Sequence, residues 1–256
     1  MTTTSHAQRG LSFDAAAAQY NAARPGYPPA LFDAVEELTG RPLKGSRVID
    51  VGAGTGIATR LLRERGARVT AVEPGPGMAA QLHSVLPDIP LVLGLGDALP
   101  LADGCADLVT YAQAWHWTDP ERAFPEALRV LRPGGALALW WNVSDRDVPW
   151  IAEQDERLRS ELKEGAHGAA GPARRLPEGL ERAERRVHWT RRVCLDTHLD
   201  NLGSHSLFLV LGAQATASFL ARERAELLKV FPDGIVEEAY AVELSVTLRA
   251  SGSSTR

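Results

Sequence analysis

The chain has 256 residues, 45% of them hydrophobic, and its 28 basic and 32 acidic side chains leave a formal net charge of −4. This balance gives no electrostatic reason to expect a nucleic acid as partner, and two cysteines cannot build a disulfide framework. The sequence has neither a run of 18 apolar residues nor the apolar segment of a signal peptide, so we expect no membrane partner and a cytoplasmic location.

Apolar runs alternate with helical patterns over the first 142 residues. The predicted strands lie near 46–51, 67–72, 90–95, 106–111 and 136–141. Helices are predicted between them, the first over Ile57–Arg65 and a later one near 120–131, where Asp119 is a suitable N-cap and Pro120 a suitable first residue. Strands that alternate with helices predict a parallel sheet with right-handed crossovers.

The turn after the first predicted strand is the most informative segment of the chain. Gly52, Gly54 and Gly56 form a G-x-G-x-G sequence that runs directly into a predicted helix. A ligand can approach the backbone closely at these glycines, and positive φ costs little there. Seventeen residues after Gly56, the second predicted strand ends in Glu73, whose carboxylate can accept hydrogen bonds from both hydroxyls of a ribose. The layout predicts a nucleotide-like cofactor.

The spacing of the glycines separates two cofactor classes. A dinucleotide fingerprint, G-x-G-x-x-G, would need Gly or Ala at position 57, where this chain has Ile57. The observed spacing, with Asp50 before it, resembles motif I of the class I methyltransferases that depend on S-adenosylmethionine (SAM). A nicotinamide-dependent oxidoreductase is the alternative enzyme, disfavoured by Ile57 and by the lack of a Tyr-x-x-x-Lys pair. A SAM-binding module without catalysis is the alternative that is not an enzyme.

Other segments extend the resemblance over roughly residues 12–142. Gly94–Ala98 looks like the end of the family's third strand, where an acidic residue meets the adenine amino group, and Ala112–Trp117 is similar to the loop after strand four of the type 11 methyltransferase domain. Arg129–Gly135 matches the family's helix-to-strand corner. Phe13, Tyr20 and the segment Arg24–Pro28 resemble the N-terminal cap of trans-aconitate methyltransferase-like enzymes that act on small molecules.

The resemblance implies a Rossmann-like, doubly wound α/β sheet of seven strands with the last strand antiparallel. We expect a single domain over 11–250, between disordered tails at 1–10 and 251–256. Within it, the expected parts are a helical cap (11–45), the SAM-binding core (46–142), a lid insertion with strand six (143–215), and a final helix and strand seven (216–250). The predicted elements of the last two parts are strand six at Arg186–Leu195, a helix at Thr216–Lys229 and strand seven at Glu238–Leu248.

The residues expected to bind SAM lie in the cap or where predicted strands end. They are Tyr20, Arg24, Asp50, Gly52, Ala53, Gly54, Thr55, Gly56, Glu73, Pro74, Met78, Gly96, Asp97, Ala98, Ala112, Gln113 and Trp117. For some of them a structural role is the alternative: helix capping for the two aspartates, core packing for Met78 and a surface ion pair for Arg24.

His116 and Tyr27 are the candidate catalytic residues. An imidazole at the edge of the acceptor site could take a proton, because its ordinary pKa is about 6.5; a histidine that only orients its loop is the alternative. The residues expected to contact the methyl acceptor are Tyr27, Trp115, His116, Trp141 and His205. Because successive strand residues point to opposite faces, Trp140 and Trp141 cannot both line one pocket.

The sequence predicts no metal site, because no paired His or Cys spacing is present. We therefore expect a monomeric or homodimeric enzyme that methylates an oxygen, nitrogen or carbon atom of a small organic acceptor, with aromatic compounds and secondary metabolites as the favoured class.

Overall fold

A seven-stranded sheet forms the centre of the molecule in a computed structural model that describes residues 24–161, 181–204, 208 and 212–250. Its strands are β1 (Arg47–Val51), β2 (Arg68–Glu73), β3 (Leu91–Leu93), β4 (Ala106–Ala112), β5 (Leu131–Ser144), β6 (Ala183–Cys194) and β7 (Ile235–Leu248). The spatial order is β3-β2-β1-β4-β5-β7-β6. The first five strands run parallel, and β7 is antiparallel to both β5 and β6. The expected doubly wound sheet with an antiparallel last strand is confirmed.

Helices cover both faces of this sheet. They are α1 (Pro29–Thr39), α2 (Ile57–Glu64), α3 (Pro76–Val85), α4 (Pro120–Val130), α5 (Pro149–Glu161), α6 (Leu195–Gly203) and α7 (Ala213–Val230). The predicted start of α4 is confirmed, because the Asp119 side chain accepts a hydrogen bond from the Glu121 N–H and Pro120 occupies the first turn. None of the helices described is both long and apolar enough to cross a membrane.

Two apolar clusters lie on opposite faces of the sheet. Trp140 belongs to the cluster beneath α1 and α2, and Trp141 belongs to the cluster beneath α4. Both indoles are buried, and their separation follows from the alternation of side chains along β5. The prediction that they cannot share one pocket is confirmed.

The C-terminal half of the chain shifts several predicted boundaries. β5 spans 131–144 rather than 136–141 and includes residues 131–135 of the predicted helix-to-strand corner, while β6 begins at Ala183 and β7 at Ile235. The segment between β5 and β6, residues 145–182, is therefore shorter than the one implied by the predicted start of the lid part at 143 and of strand six at Arg186. The third strand is also short, Leu91–Leu93, as is common at a sheet edge.

The part predicted as a lid insertion with strand six (143–215) contains the packed helix α6 directly after β6. Leu195 and Leu199 of α6 are buried in a cluster with Leu227 of α7 and Val236 of β7. The lid prediction is corrected for 195–203, because these residues anchor β6 and β7 to α7. Tyr20, His205, the predicted tails and residues 162–180 of the insertion lie outside the described part of the chain.

Candidate functional site

The glycine turn after β1 has the backbone that its sequence predicts. Gly52, Gly54 and Gly56 all have positive φ, at 66°, 57° and 88°, a conformation that costs glycine little. The three glycines serve different purposes. A Cβ at Gly52 would lie 2.5 Å from the Ala114 Cβ, and one at Gly56 would press on Leu82, whereas a Cβ at Gly54 would meet nothing within 4 Å. Gly54 is thus the point where the turn opens to a ligand.

Glu73 ties this turn to the loop that follows β2. Its Oε2 accepts a hydrogen bond from the Gly54 N–H at 2.8 Å, and its Oε1 accepts one from the Gly75 N–H at 2.9 Å. Only 7% of the residue is exposed. A carboxylate can accept about four hydrogen bonds, so this one can hold both loops and still receive ribose hydroxyls.

Asp50 lies beneath the turn rather than in contact with a ligand. It is fully buried, and its two carboxylate oxygens accept hydrogen bonds from the hydroxyls of Thr59 on α2, at 2.6 Å, and Thr110 on β4, at 2.9 Å. Burial raises the pKa of Asp50 to about 6, although both hydroxyl bonds act in the opposite direction. The prediction of direct cofactor contact is therefore corrected: Asp50 positions the turn by joining β1, β4 and α2.

The loop after β3 offers one carboxylate toward the same edge. Asp97 is half-buried, and its Oδ1 accepts a hydrogen bond from the Asp119 N–H at 3.1 Å; burial raises its pKa. Its other oxygen is available to a further donor such as an adenine amino group. Gly96 has a packing role, because a Cβ there would lie 2.9 Å from the Thr118 Cγ2, and its carbonyl accepts from the Tyr111 hydroxyl at 3.2 Å.

The loop after β4 contains a strained residue. Gln113 has φ of 56° and is the one residue other than glycine with positive φ in the described part of the chain. Its N–H donates to the Trp140 carbonyl at 2.9 Å, which fixes the loop to β5. Backbone strain of this kind is concentrated at functional sites, and the sequence alone does not reveal it.

Trp115 does not line a pocket. It is fully buried, with its ring edge-on to Tyr111 at 4.9 Å between centroids. The prediction that Trp115 contacts the acceptor is corrected, because its ring is packed within the apolar cluster beneath α4. Trp117 is half-buried and lies 4.6 Å from the His116 ring, so it is the tryptophan of this loop that remains near the edge.

His116 is oriented by Trp141. The indole Nε1 of Trp141 donates to the His116 Nδ1 at 3.3 Å. Because an indole nitrogen can only donate, the neutral imidazole carries its own proton on Nε2. In this tautomer Nε2 donates and cannot accept a proton, so the geometry supports the orienting alternative for His116. Trp141 is buried and acts on the site through His116.

The cap approaches the sheet through two of the predicted residues. Tyr27 packs edge-on against Trp140 at 5.9 Å between centroids, which places it beside the end of β5. Arg24 donates from Nη2 to the Ser204 carbonyl at 3.1 Å, just beyond α6. Arg24 thus joins the cap to the residue that follows α6.

The remaining predicted cofactor residues occupy the same edge with different exposure. Ala53, Thr55 and Met78 are buried, Ala112 is half-buried, and Pro74 and Ala98 are exposed. The buried members shape the loops, and the exposed ones border them. No group of three or more metal-ligating side chains occurs in the ranges that the structure describes.

The site residues fit SAM. The glycine turn offers open space at Gly54 and backbone N–H groups, Glu73 offers a carboxylate to a ribose, and Asp97 offers an oxygen to an adenine. These groups meet at one edge because β1 to β4 are parallel and adjacent.

Comparison with known proteins decides the family. The sequence profile described as "Methyltransferase domain" matches residues 49–139. An uncharacterized methyltransferase of Mycobacterium tuberculosis is 40% identical over 234 residues, which are 90% of each chain. The chain belongs to the class I SAM-dependent methyltransferases. SAM is its cofactor, and the resemblance given by its sequence motifs is confirmed at the level of the class.

Other relatives of this methyltransferase match shorter stretches. The malonyl-[acyl-carrier protein] O-methyltransferase of Methylococcus capsulatus is 38% identical over 138 residues, half of this chain and 49% of its own. A solved structure from Anaeromyxobacter dehalogenans, described as a type II methyltransferase, has a TM-score of 0.69 at 24% identity and covers 89% of this chain and 98% of its own. That likeness shows the same fold.

Proposed function

We propose that this methyltransferase transfers the methyl group of SAM to a small organic acceptor held beside the carboxyl ends of β4 and β5. The observation that carries the proposal is the arrangement of side chains there. Tyr27 packs on Trp140, and His116 stands between Trp117 and Trp141, so aromatic rings border the space next to the cofactor loops. Rings of this kind suit a flat acceptor and a sulfonium charge, at about 0.5–2 kcal/mol for each cation–π contact.

When bound, SAM supplies an electrophilic methyl group. The task of the chain is to hold the acceptor in line with that group and to exclude water, and good orientation alone is worth about 7–11 kcal/mol. The half-buried loop that contains Gln113, His116 and Trp117 supports this role, because two hydrogen bonds hold it to β5. Gln113 donates to the Trp140 carbonyl, and His116 accepts from the Trp141 indole. We assign Trp141 and His116 the positioning of this loop, and Tyr27 a contact with the acceptor.

Two relatives that match part of the chain are named after different acceptors. One is the malonyl-[acyl-carrier protein] O-methyltransferase, and the other is a demethylmenaquinone methyltransferase from Beutenbergia cavernae with 38% identity over 106 residues. The even charge balance of this chain adds no reason to expect a polyanion. A cytoplasmic monomer or homodimer of secondary metabolism remains part of the proposal.

A pair of alanine variants tests the placement of the cofactor. Gly54→Ala and Gly40→Ala both put a methyl group into open space at positive φ, 57° and 64°, so both carry similar backbone strain. Calorimetric titration with the demethylated product, S-adenosylhomocysteine (SAH), should show at least tenfold weaker binding for Gly54→Ala and wild-type binding for Gly40→Ala. Equal binding by the two variants would place the cofactor elsewhere.

The same titration with NAD tests the class of reaction. Wild-type protein should release or absorb heat with SAH and give none with NAD. Tight binding of NAD without binding of SAH would instead support the oxidoreductase alternative. SAH binding without methyl transfer to any acceptor tested would support a binding module.

A further inference from the structure

A stacked aromatic pair lies where β6 and β7 extend beyond the cofactor loops. Trp189 and Tyr240 are register partners on these strands, and their rings stack at 5.2 Å with 26° between planes. The indole N–H of Trp189 donates to the Asn142 Oδ1 at 2.9 Å. The Tyr240 hydroxyl donates to the Glu238 Oε2 at 2.9 Å and accepts from the Asn201 Nδ2 at 3.1 Å. An asparagine therefore meets each ring of the stack.

These bonds fix the orientation of both asparagine amides. An indole nitrogen can only donate, so Asn142 must turn its oxygen toward Trp189. The single proton of the Tyr240 hydroxyl goes to Glu238, so Asn201 must present its NH2 group. Each amide thus keeps its other half for a different partner: an N–H donor on Asn142 and a carbonyl acceptor on Asn201.

Those two remaining atoms are buried and unmatched. The Asn142 Nδ2 and the Asn201 Oδ1 have no hydrogen-bond partner in the described ranges, and neither has the buried Trp140 Nε1. Asn201 is 6% exposed and Trp140 is fully buried. Leaving a polar atom buried without a partner costs about 1–3 kcal/mol. Two donors and one acceptor in one part of the molecule therefore indicate a missing partner.

The three residues share one side of the molecule, next to the cofactor loops. Trp140 and Asn142 are two positions apart on β5 and so point to the same face, with Cα atoms about 6.6 Å apart. The Asn142 partner on β7 is Val242, two positions from Tyr240. The Trp140 carbonyl accepts from Gln113 in the loop after β4. The hydroxyls of Ser245 and Thr247 also have no hydrogen-bond partner in the described ranges. They lie on the other face of the sheet, where their register partners on β5 are Leu139 and Leu137.

We propose that Trp140, Asn142 and Asn201 bind the methyl acceptor, and that the acceptor is a flat small molecule with a carbonyl or carboxylate oxygen and a separate hydroxyl or N–H group. The oxygen would accept from the two N–H donors on β5, and the hydroxyl or N–H group would donate to Asn201. The rings of Tyr27 and Trp189 suit a flat molecule. This proposal rests on the proposed methyl transfer and defines the class of its substrate.

Two variants remove the donors without removing the fold contacts. Asn142→Asp keeps an oxygen for the Trp189 N–H and replaces the unmatched donor by a negatively charged acceptor. Trp140→Phe keeps a ring against Tyr27 and Phe32 and removes only the N–H donor and part of the indole. Trp150→Phe is the matched control, because Trp150 packs against Phe231 and His198 in a separate cluster.

The probes are 4-hydroxybenzamide, 4-hydroxybenzoate and phenol, titrated by calorimetry into protein saturated with SAH. Wild type and Trp150→Phe should bind at least one of the two carbonyl probes tenfold or more tightly than phenol, and Asn142→Asp and Trp140→Phe should reduce this preference at least tenfold. Tighter binding of 4-hydroxybenzamide would indicate a neutral carbonyl acceptor, and tighter binding of 4-hydroxybenzoate would indicate a carboxylate. Asn142→Asp should weaken the binding of 4-hydroxybenzoate more than that of 4-hydroxybenzamide, because the two carboxylates repel each other.

The proposal is overturned if wild type binds neither carbonyl probe more tightly than phenol, or if both test variants retain the wild-type preference. Titration of SAH into every preparation separates this failure from that of the proposed function. Wild type that fails to bind SAH contradicts methyl transfer itself, whereas normal SAH binding without the probe preference contradicts only the acceptor class. SAH binding by the variants also shows that they are folded. If Asn142→Asp no longer binds SAH, the probe preference of Trp140→Phe tests the proposal.

Discussion

At the scale of single residues, the acidic side chains at the strand ends differ in what they hold. Glu73 joins two loops through backbone N–H groups at 2.8 and 2.9 Å, so removal of its carboxylate would disturb the glycine turn as well as the proposed ribose contact. Asp50 accepts hydrogen bonds from two threonine hydroxyls, one on α2 and one on β4. The first carboxylate is proposed to border the ligand, and the second joins the elements around it.

The buried Asp50 should make the protein less stable as the pH rises. Its pKa is about 6 in the folded chain against an ordinary value of 3.8, so the folded state holds this proton more tightly than the unfolded state. The advantage of the neutral form is complete below pH 3.8 and is lost as the pH rises through 6, a loss of about 3 kcal/mol. Asp50→Asn removes the charge, and the threonine hydroxyls can turn to receive an amide.

Urea unfolding of wild type and Asp50→Asn between pH 4 and 7 measures this effect. The variant should gain stability relative to wild type as the pH rises, whereas Asp88→Asn, at an exposed position, should follow wild type throughout. A constant difference between Asp50→Asn and wild type over this range would show that Asp50 ionises normally in the folded protein.

The hydrogen bond from Trp141 leads to a prediction for His116. If this histidine positions the loop, His116→Gln, which keeps a side-chain acceptor for the indole N–H, should lower kcat less than about tenfold. Loss of a general base would cost about 100- to 10,000-fold. The measurement is kcat against pH with a saturating acceptor. A fall of 100-fold or more, with loss of the acidic limb of the profile, would restore His116 as the base.

Sequence predicts this edge of the sheet well where a motif marks a strand end, and poorly where packing decides. The glycine turn and Glu73 are recognisable because spacing along one βαβ unit places them together. Trp115 and Gln113 stand in the same recognisable loop, but the burial of one and the positive φ of the other depend on neighbours distant in the sequence. The bonds of Asp50 to Thr59 and Thr110 are hidden for the same reason.

At the scale of elements, a buried polar network holds α6 against the last two strands. Glu238 on β7 accepts hydrogen bonds from Arg191 on β6 at 2.5 Å, His198 on α6 at 2.7 Å and the Tyr240 hydroxyl. Burial raises the pKa of Glu238, but the bonds from His198 and Arg191 outweigh it and hold the pKa below its ordinary value. One carboxylate therefore joins three elements.

Removal of this carboxylate should destabilise the protein strongly. Glu238→Ala removes the buried carboxylate that accepts from Arg191, His198 and Tyr240, and the free energy of unfolding should fall by about 3–5 kcal/mol. Its neighbour Glu237 is exposed, so Glu237→Ala should change stability by less than about 0.5 kcal/mol. Chemical unfolding at pH 7 compares them. Similar values for the two variants would mean that the network adds no net stability.

The elements of the C-terminal half show which parts of the fold cannot be predicted from local sequence patterns. The alternating polar and apolar residues of β6 predict a strand, and its bounds are nearly correct. Helix α6 is short, and its local sequence does not distinguish it from a loop. Its Leu195 and Leu199 are covered by Leu227 and Val236, which come about 30 positions later in the chain. A helix that depends on such distant contacts has little local signal.

At the scale of the whole molecule, the cap and the C-terminal part are built onto the same sheet as the cofactor loops. Helix α1 packs on β5, β6 and β7, and Trp140 of β5 contacts Phe32 of α1. The exposed ion pair between Arg185 and Glu37 adds little because solvent screens it, so apolar packing stabilises this junction. Binding of the cofactor at this edge should therefore stabilise the entire fold.

A cofactor that binds only the folded state should raise the melting temperature of the whole chain in one step. At a concentration of SAH 100 times its dissociation constant, the gain is about 2.7 kcal/mol, which corresponds to roughly 5–10 °C for a domain of this size. Tryptophans lie in both apolar clusters and on β6, so their fluorescence reports the sheet as a unit. Fluorescence and far-ultraviolet circular dichroism should give one coincident transition, shifted equally by SAH. Two separate transitions, only one of which moves with SAH, would show that the cofactor loops unfold independently of β6, β7 and α1.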